Sequence, residues 1–281
     1  MNLIIQGFEI ATQDLKQLAK LSKAVSIEAI DQQAFKLLNA DVATKAKIED
    51  YCNHAQLDFG FIPTQRKLSD FGLVVMDMDS TLINIECIDE IADMAGVKKD
   101  VSSITEAAMR GEIDFKESLT RRVRLLKDLP INFLEKVFTE RLKLSQGAEP
   151  FLQAIKAAGI RTLLVSGGFT FFTERLKEEL KIDFAVANLL ETANNKLTGG
   201  LSGEIVDAEI KKASLIKIRN QLGLRVDQVV AIGDGANDLK MLAEAGVSIA
   251  FHGKPIVRAS AHYAINHVGL DGVLPLLGNT N

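Results

Sequence analysis

Short apolar runs that stop abruptly in polar, glycine-rich sequence recur along this chain of 281 residues. "LVVM" before Asp77, "TLLV" before Ser166 and "VVAIG" before Asp234 are too short for helices and, Thr162 apart, are apolar at successive positions rather than at alternate ones. Such runs predict strands buried on both faces, as in the middle of a parallel sheet. After Gly147 they alternate with helical patterns. Helix "EPFLQAIKAAG", strand "RTLLVSGG", helix "FTERLKEEL", strand "DFAVAN", a Gly-rich turn "LTGGLSG" and helix "EIKKASLIKIRNQLG" come first. Strand "QVVAIGD", helix "DLKMLAEAG", strand "VSIAF", helix "KPIVRASA" and a last strand "YAIN" follow. This order predicts an α/β fold with a doubly wound parallel sheet, and such sheets bind ligands outside the carboxyl ends of their strands.

Two regions break the alternation. Residues 1–65 mix apolar stretches ("LIIQGFEI", "VSIEAI", "LDFGFI") with helical patterns ("TQDLKQLAKLSKA", "TKAKIEDYCNHA"), which predicts a small α+β domain followed by the linker "PTQRKLSDFG". Across residues 87–144 the strand pattern disappears. In "DFKESLTRRVRLLKDLP", Phe115, Leu119, Val123 and Leu126 recur at steps of four and three, one apolar stripe, with Pro130 stopping the helix. An insertion far longer than an ordinary strand-to-helix connection predicts a helical-bundle cap hanging over the sheet end. The expected organisation is an N-terminal domain over 1–65, a core over 66–86 and 145–281, and a cap over 87–144. The closing "GLDGVLPLLGNTN" predicts a short helix and a frayed tail.

Composition narrows the function classes. The chain is 47% hydrophobic and 25% charged, enough for a sizeable core. Its net charge of −4 and scattered basic residues give no electrostatic footprint for nucleic acid or an anionic membrane, so a small substrate is expected. Cys52 and Cys87 form no disulfide framework, and four isolated histidines have no zinc-type spacing. No apolar run approaches the roughly 18 residues of a membrane span, and Met1 is not followed by a signal-peptide pattern. A soluble, cytoplasmic protein is expected.

The strand ends carry the chemistry. Asp77 and Asp79, Ser166, and Asp234 with Asp238 are delivered to one rim. Each motif alone is compatible with a turn or a helix cap. Three in order, each directly after a buried strand, are not explained by caps. Several carboxylates in one crevice need a cation, and oxygen-only ligands select a hard ion, Mg²⁺. Gly167, Gly168 and Gly235 would let backbone N–H groups approach an anion, and helices beginning after "SGG" and "GDGAN" direct their positive ends inward. Lys211 or its neighbour Lys212 would add a point charge, and spacing does not decide between them. Two aspartates at i and i+2 on an extended segment share a side. Asp77 can then attack phosphorus as a nucleophile while Asp79 handles the leaving group's proton.

"DMDST", "SGG", a lysine and "GDGAND", in that order with a helical insertion after the first, resemble the haloacid-dehalogenase-like (HAD) phosphohydrolases over roughly residues 70–275. The resemblance implies a Rossmann-like core with a helical cap, Asp77 as nucleophile, Asp79 as acid/base, and Mg²⁺ held by Asp77, the Asp79 carbonyl and Asp234. Ser166 and Lys211 would hold the phosphoryl group, with Asn237 and Asp238 supporting. "DMDSTLINIECIDEIA", "AMRGEIDFKESLTRRVRLLKDLP" and "GDGANDLKML" are similar to the phosphoserine-hydrolysing branch. By that likeness Glu86 reads the ammonium of O-phospho-L-serine and Arg122 its carboxylate, a pairing that a guanidinium fork suits. Met109 and Phe115 would close over the substrate, and the reaction would be the last step of L-serine biosynthesis.

Residues 1–65 resemble the ACT-like regulatory domains attached to some of these phosphatases, which implies subunit pairing, hence a homodimer, or amino-acid binding. Two alternatives stand beside hydrolysis: phosphoryl transfer to homoserine, and a non-catalytic amino-acid sensor. The intact Asp77, Asp79, Ser166, Lys211 and Asp234 set speaks against the second.

Overall fold

The computed structural model describes residues 1–278. It opens with β1 (Asn2–Gln6), α1 (Thr12–Ser22), β2 (Ser26–Ala29), β3 (Ala34–Leu38), α2 (Lys45–Ala55) and β4 (Asp58–Ile62). The four strands form an antiparallel sheet in the order β2-β3-β1-β4, the split βαβ arrangement of ferredoxin-like units. Three strands were expected here. The additional one, β3, escapes the sequence pattern because "AFKLL" carries Lys36 at its centre, where it pairs with Glu28 of β2. Alternation sorts β1 between two cores. Leu3 and Ile5 pack with Leu18 and Ile48 of the two helices, whereas Ile4 joins Ile62 in the main core of the chain.

The main core is built on a second sheet. β5 (Leu73–Met76) leads into an irregular turn over Met78–Leu82, followed by α3 (Cys87–Met94), α4 (Lys98–Met109), α5 (Phe115–Arg124) and α6 (Asn132–Lys136). The alternating part follows: α7 (Ala148–Ala157), β6 (Arg161–Phe169), α8 (Thr170–Leu180), β7 (Phe184–Ala193), β8 (Lys196–Ser202) and α9 (Ala208–Gln221). Last come β9 (Val229–Gly233), α10 (Leu239–Leu242), β10 (Val247–Phe251), α11 (Pro255–Ser260), β11 (Tyr263–Ile265) and α12 (Val273–Leu277). α12 is the expected closing helix. The last three residues of the expected tail lie outside the described residues. Strand order is β11-β10-β9-β5-β6-β7-β8, parallel except for the β7–β8 pair. β5 and β9 are buried at every position, as their unbroken apolar runs require.

Two expectations are corrected. "LTGGLSG" is not a turn but most of β8, and the reversal lies earlier, at Asn194 and Asn195, both with positive φ. Consecutive left-handed residues suit a two-residue hairpin, and asparagine tolerates them. The helix containing the Phe115 stripe ends at Arg124, well before Pro130, because the chain turns through a left-handed Asp128. Segment 128–131 then pairs with the hairpin: the Asp128 N–H donates to the Leu197 carbonyl and the Ile131 N–H to that of Asn195. The helical insertion is thus braced by β8. At its base its two legs are joined by Asn84 N–H to Lys143 O and Ser145 N–H to Leu82 O. No helix among the described residues is long and apolar enough to cross a membrane.

Candidate active site

Three adjacent central strands, β6, β5 and β9, deliver polar groups to one end of the sheet. Asp77 is the first residue after β5, Asp234 the first after β9, and Ser166 sits fully buried near the end of β6. The β6–β7 register shifts between Val165 and Phe169, so the segment carrying Ser166, Gly167 and Gly168 leaves regular pairing at this point. Both glycines are required by close approach. A Cβ on Gly168 would lie 2.7 Å from Asp79 Oδ2, and one on Gly167 would lie 2.9 Å from the Phe115 ring.

The floor of the crevice is an ion triad. Lys211 on α9 is fully buried, with its Nζ 2.7 Å from Asp77 Oδ2 and 2.8 Å from Asp238 Oδ1. Geometry separates the two lysines that spacing left open, because Lys212 turns outward to Glu244. The Met78 N–H donates to Asp77 Oδ1, and the Gly235 N–H to Asp238 Oδ2. Asp79 accepts the Cys87 N–H at 3.0 Å and faces the Ser166 hydroxyl at 3.5 Å. The Ser166 hydroxyl in turn accepts the Gly168 N–H.

Above the floor lies a crevice of about 590 Å³, walled by the helical insertion. Glu86, Arg122, Phe115 and Met109 line it together with Asp77, Asp79, Gly167, Asp234 and Asn237. Glu86, the residue before α3, accepts a 2.8 Å hydrogen bond from the Ser80 hydroxyl. Met109 ends α4 at the rim and is 71% exposed. Ser80 and Lys254 are the residues that sequence reasoning missed. Ser80 has a left-handed backbone (φ 55°), unusual for a residue other than glycine. Lys254 lines the crevice, and its N–H donates to the Asp234 carbonyl. It follows β10, a fourth strand whose carboxyl end the same rule would have searched.

Burial sets the proton affinities. It pushes the Asp79 carboxyl up to about 7, with Glu86 adding to the effect, and the Asp234 carboxyl up to about 6, helped by Asp238. Glu86 is also raised by burial, although the Ser80 hydrogen bond opposes the shift. At Asp77, burial and the Asp238 charge push upward while Lys211 opposes them. For Lys211, burial favours the neutral amine, but Asp238 and Asp77 outweigh it and hold the ammonium. Burial lowers the Arg122 guanidinium, against Asp89, Glu86 and Asp79. Carboxylate oxygens of Asp77, Asp234 and Asp238 lie within 4.8 Å of one another, an acidic group that could hold a metal ion. The donors are all oxygen, which fits a hard divalent cation.

The haloacid dehalogenase-like hydrolase family matches residues 71–246, and a domain of unknown function (DUF4072) matches residues 3–48. A phosphoserine phosphatase of a Polaromonas species is 55% identical over 216 residues, 75% of this chain and 92% of that protein. Among solved structures, a HAD family hydrolase of Salmonella enterica serovar Typhi superposes with a TM-score of 0.90 at 32% identity, covering 99% of this chain and 98% of that one. The unliganded probable phosphoserine phosphatase of Vibrio cholerae gives a TM-score of 0.86 at 36% identity, covering 98% and 86%. With the strand-end triad in place and this likeness extending over most of its length, the chain belongs to the haloacid dehalogenase-like hydrolases and, among them, to the phosphoserine phosphatase family.

Proposed function

We propose that the chain is a phosphoserine phosphatase that hydrolyses O-phospho-L-serine to L-serine and phosphate through an aspartyl-phosphate on Asp77. The observation that carries the reading is the triad of Asp77, Lys211 and Asp238 beneath a crevice lined by both Glu86 and Arg122. A nucleophilic carboxylate and a fixed ammonium sit where a phosphoryl group would rest. An acid and a guanidinium sit above, where the serine ammonium and carboxylate would be read. In this reading residues 66–86 and 145–281 form the catalytic core, and residues 87–144 form its cap.

The chain's own groups supply both halves of the reaction. An Asp77 oxygen forms a bond to phosphorus as the serine Oγ–P bond breaks, and the proton of Asp79 passes to the departing serine oxygen. A carboxyl raised to about 7 carries that proton in about half of the molecules in neutral solution, where an unperturbed one would carry almost none. Water then forms the second bond to phosphorus, losing its proton to the Asp79 carboxylate as the bond to Asp77 breaks. Lys211, Ser166 and the Gly167 N–H would stabilise the equatorial oxygens, the Gly168 N–H would orient the Ser166 hydroxyl, and Asn237 and Asp238 would hold the surroundings in place. Phe115 and Met109 would shield the intermediate from bulk water. Asp77, the Asp79 carbonyl and Asp234 would hold Mg²⁺, which when bound neutralises charge on the phosphoryl oxygens. Asp238 belongs to the same acidic group, and in this reading it serves to hold Lys211 and the Gly235 N–H in place.

The test is phosphate release from O-phospho-L-serine with and without Mg²⁺, in the native chain and in Asp77→Asn. Mg²⁺-dependent release that is lost in the variant is expected. Release by Asp77→Asn at the native rate would overturn the nucleophile. Hydrolysis of an aryl phosphate with none of phosphoserine would overturn the roles of Glu86 and Arg122. Phosphohomoserine formed on adding homoserine would replace hydrolysis by transfer.

A further inference from the structure

The helix that carries Arg122 meets the core at both of its ends, by different means. The C-terminal end of α5 rests on β8, where a Cβ on Gly199 would lie 3.3 Å from the Arg124 carbonyl oxygen. Its N-terminal turn meets the segment that leads into α9. Phe115 packs against Gly167, and the next residue, Lys116, places its Nζ 3.0 Å from Asp207 Oδ2.

Asp207 divides its carboxylate between two tasks. Oδ1 accepts the N–H groups of Glu209 and Ile210 at 2.9 Å and 3.0 Å, which caps α9, while Oδ2 takes Lys116. Its backbone is fixed on both sides. The Asp207 carbonyl accepts the Lys211 N–H, and the Val206 N–H donates to Asn188 Oδ1 at 2.8 Å. Asn188 is buried, and its amide nitrogen donates to the Gly167 carbonyl, also at 2.8 Å. Asp207 therefore belongs to the same unit as Lys211 and the Gly167 loop. Lys116 belongs to the helix of Arg122, about two turns before it.

We propose that Lys116 is a positioning residue whose ion pair with Asp207 seats α5 on the start of α9 and so sets the distance between Arg122 and Lys211, an assignment that rests on the reading of Arg122 as the group that meets the substrate carboxylate. Phosphoserine must reach Lys211 with its phosphoryl group and Arg122 with its carboxylate at once, so it binds the seated helix. Inorganic phosphate reaches the floor alone and is indifferent to the seat. The pair is weak by itself, with the Lys116 side chain 49% exposed and that of Asp207 18% exposed. Weakness is no obstacle, because apparent affinity falls in proportion to the seated fraction. Bound phosphoserine bridges the two helices itself, so turnover of the complex changes little.

Phosphoserine hydrolysis, and its inhibition by inorganic phosphate, are compared in the native chain, Lys116→Met, Lys116→Arg, Asp207→Asn and the double variant of Lys116→Met with Asp207→Asn. Asparagine keeps an oxygen to cap α9 and removes the charge. KM for phosphoserine is expected to rise about two- to fivefold in Lys116→Met and in Asp207→Asn, and no further in the double variant. The kcat and the phosphate inhibition constant should stay near native, and Lys116→Arg should keep the native KM. Salt should raise the native KM more steeply than that of Lys116→Met. Equal rises in KM and in the phosphate inhibition constant would show that Lys116 acts through α9 and Lys211 instead, and would overturn the proposal. Single effects that multiply in the double variant would do the same. Hydrogen exchange at the amides of residues 117–121 reads the seat without any substrate. Faster exchange in Lys116→Met, reversed in Lys116→Arg, is expected even if the native chain released no phosphate from phosphoserine, an outcome that would remove the hydrolase reading alone. Exchange identical to native would overturn the seat itself.

Discussion

Lys211 and Asp77 form an ion pair at 2.7 Å in which the lysine has no exposed surface and a second carboxylate, Asp238, completes its coordination. Removing the ammonium leaves two buried acids facing each other, which is far worse than never having had the pair. Lys211→Met should therefore lose about 3–5 kcal/mol in urea unfolding of the metal-free chain. It should also lose phosphatase activity by a factor on the order of 10²–10³, the scale for one preorganised electrostatic group. Lys211→Arg keeps the charge but needs room that a fully buried site does not have, so activity should stay low although stability recovers in part.

Asp79 gives a pH dependence of definite sign. Its carboxyl is raised from 3.8 to about 7, chiefly by burial. The folded chain therefore keeps a proton that the unfolded chain releases near pH 4. Stability from this group is fully present below its unfolded value and is lost as pH rises through the folded one, at up to about 1.4 kcal/mol per pH unit. Asp234, raised to about 6, acts in the same direction. In EDTA the Tm of the native chain should fall between pH 4 and pH 7 relative to that of Asp79→Asn, and Mg²⁺ should flatten the difference. A native-minus-variant difference that rises over this window would refute the assignment. In turnover, kcat should decline as pH rises beyond about 7, because the proton destined for the leaving oxygen is gone.

Ser80 combines strain and function at one position. Its left-handed backbone costs about 1 kcal/mol for a residue with a Cβ, and its hydroxyl holds Glu86 at 2.8 Å. Ser80→Gly and Ser80→Ala both remove the hydroxyl, but only glycine relieves the backbone. The two variants should share a KM for phosphoserine several-fold above native, because each frees Glu86. Ser80→Gly should unfold at the higher urea concentration, by about 1 kcal/mol. Equal stabilities would show that the turn bears no strain.

The sequence was most informative where it violated a local preference. Buried runs ending in Asp77, Ser166 and Asp234 are explained neither by helix propensity nor by strand propensity, so they exposed the sheet end directly. Elements whose local signal is weak were harder to read. β3 hides behind Lys36, whose burial depends on Glu28 from a neighbouring strand. β8 hides behind its glycines, and the hairpin is set by Asn194 and Asn195 instead. Lys211 could not be told from Lys212 because the inner face of α9 exists only once the helix is packed. Lys254 reaches the crevice on a strand-end loop, and Ser80 acts on it through Glu86 from a left-handed position, neither of which has a periodic signature.

The junction between the N-terminal sheet and the core is built like an interior rather than a linker. Asp58 on β4 is 2% exposed and accepts the N–H groups of Asn266, His267 and Val268, the first at 2.7 Å. Arg66 donates to the Tyr263 hydroxyl, which itself donates to the Phe61 carbonyl. Asp58→Ala would strand three N–H groups at this buried junction, and a loss of about 3 kcal/mol or more is expected in urea unfolding. The catalytic floor contains no residue from 1–65, so kcat of the folded fraction should stay close to native. Deleting residues 1–65 goes further, because it uncovers Leu276, Tyr263 and the apolar surface against which Ile4 and Ile62 pack. Burying each of those two isoleucines is worth about 1.5–3 kcal/mol, and their removal leaves a contiguous apolar patch facing water. The truncated chain should aggregate, as read by light scattering beside the native protein. A monodisperse truncated chain with full phosphatase activity would show instead that the N-terminal domain is an accessory the core does not need.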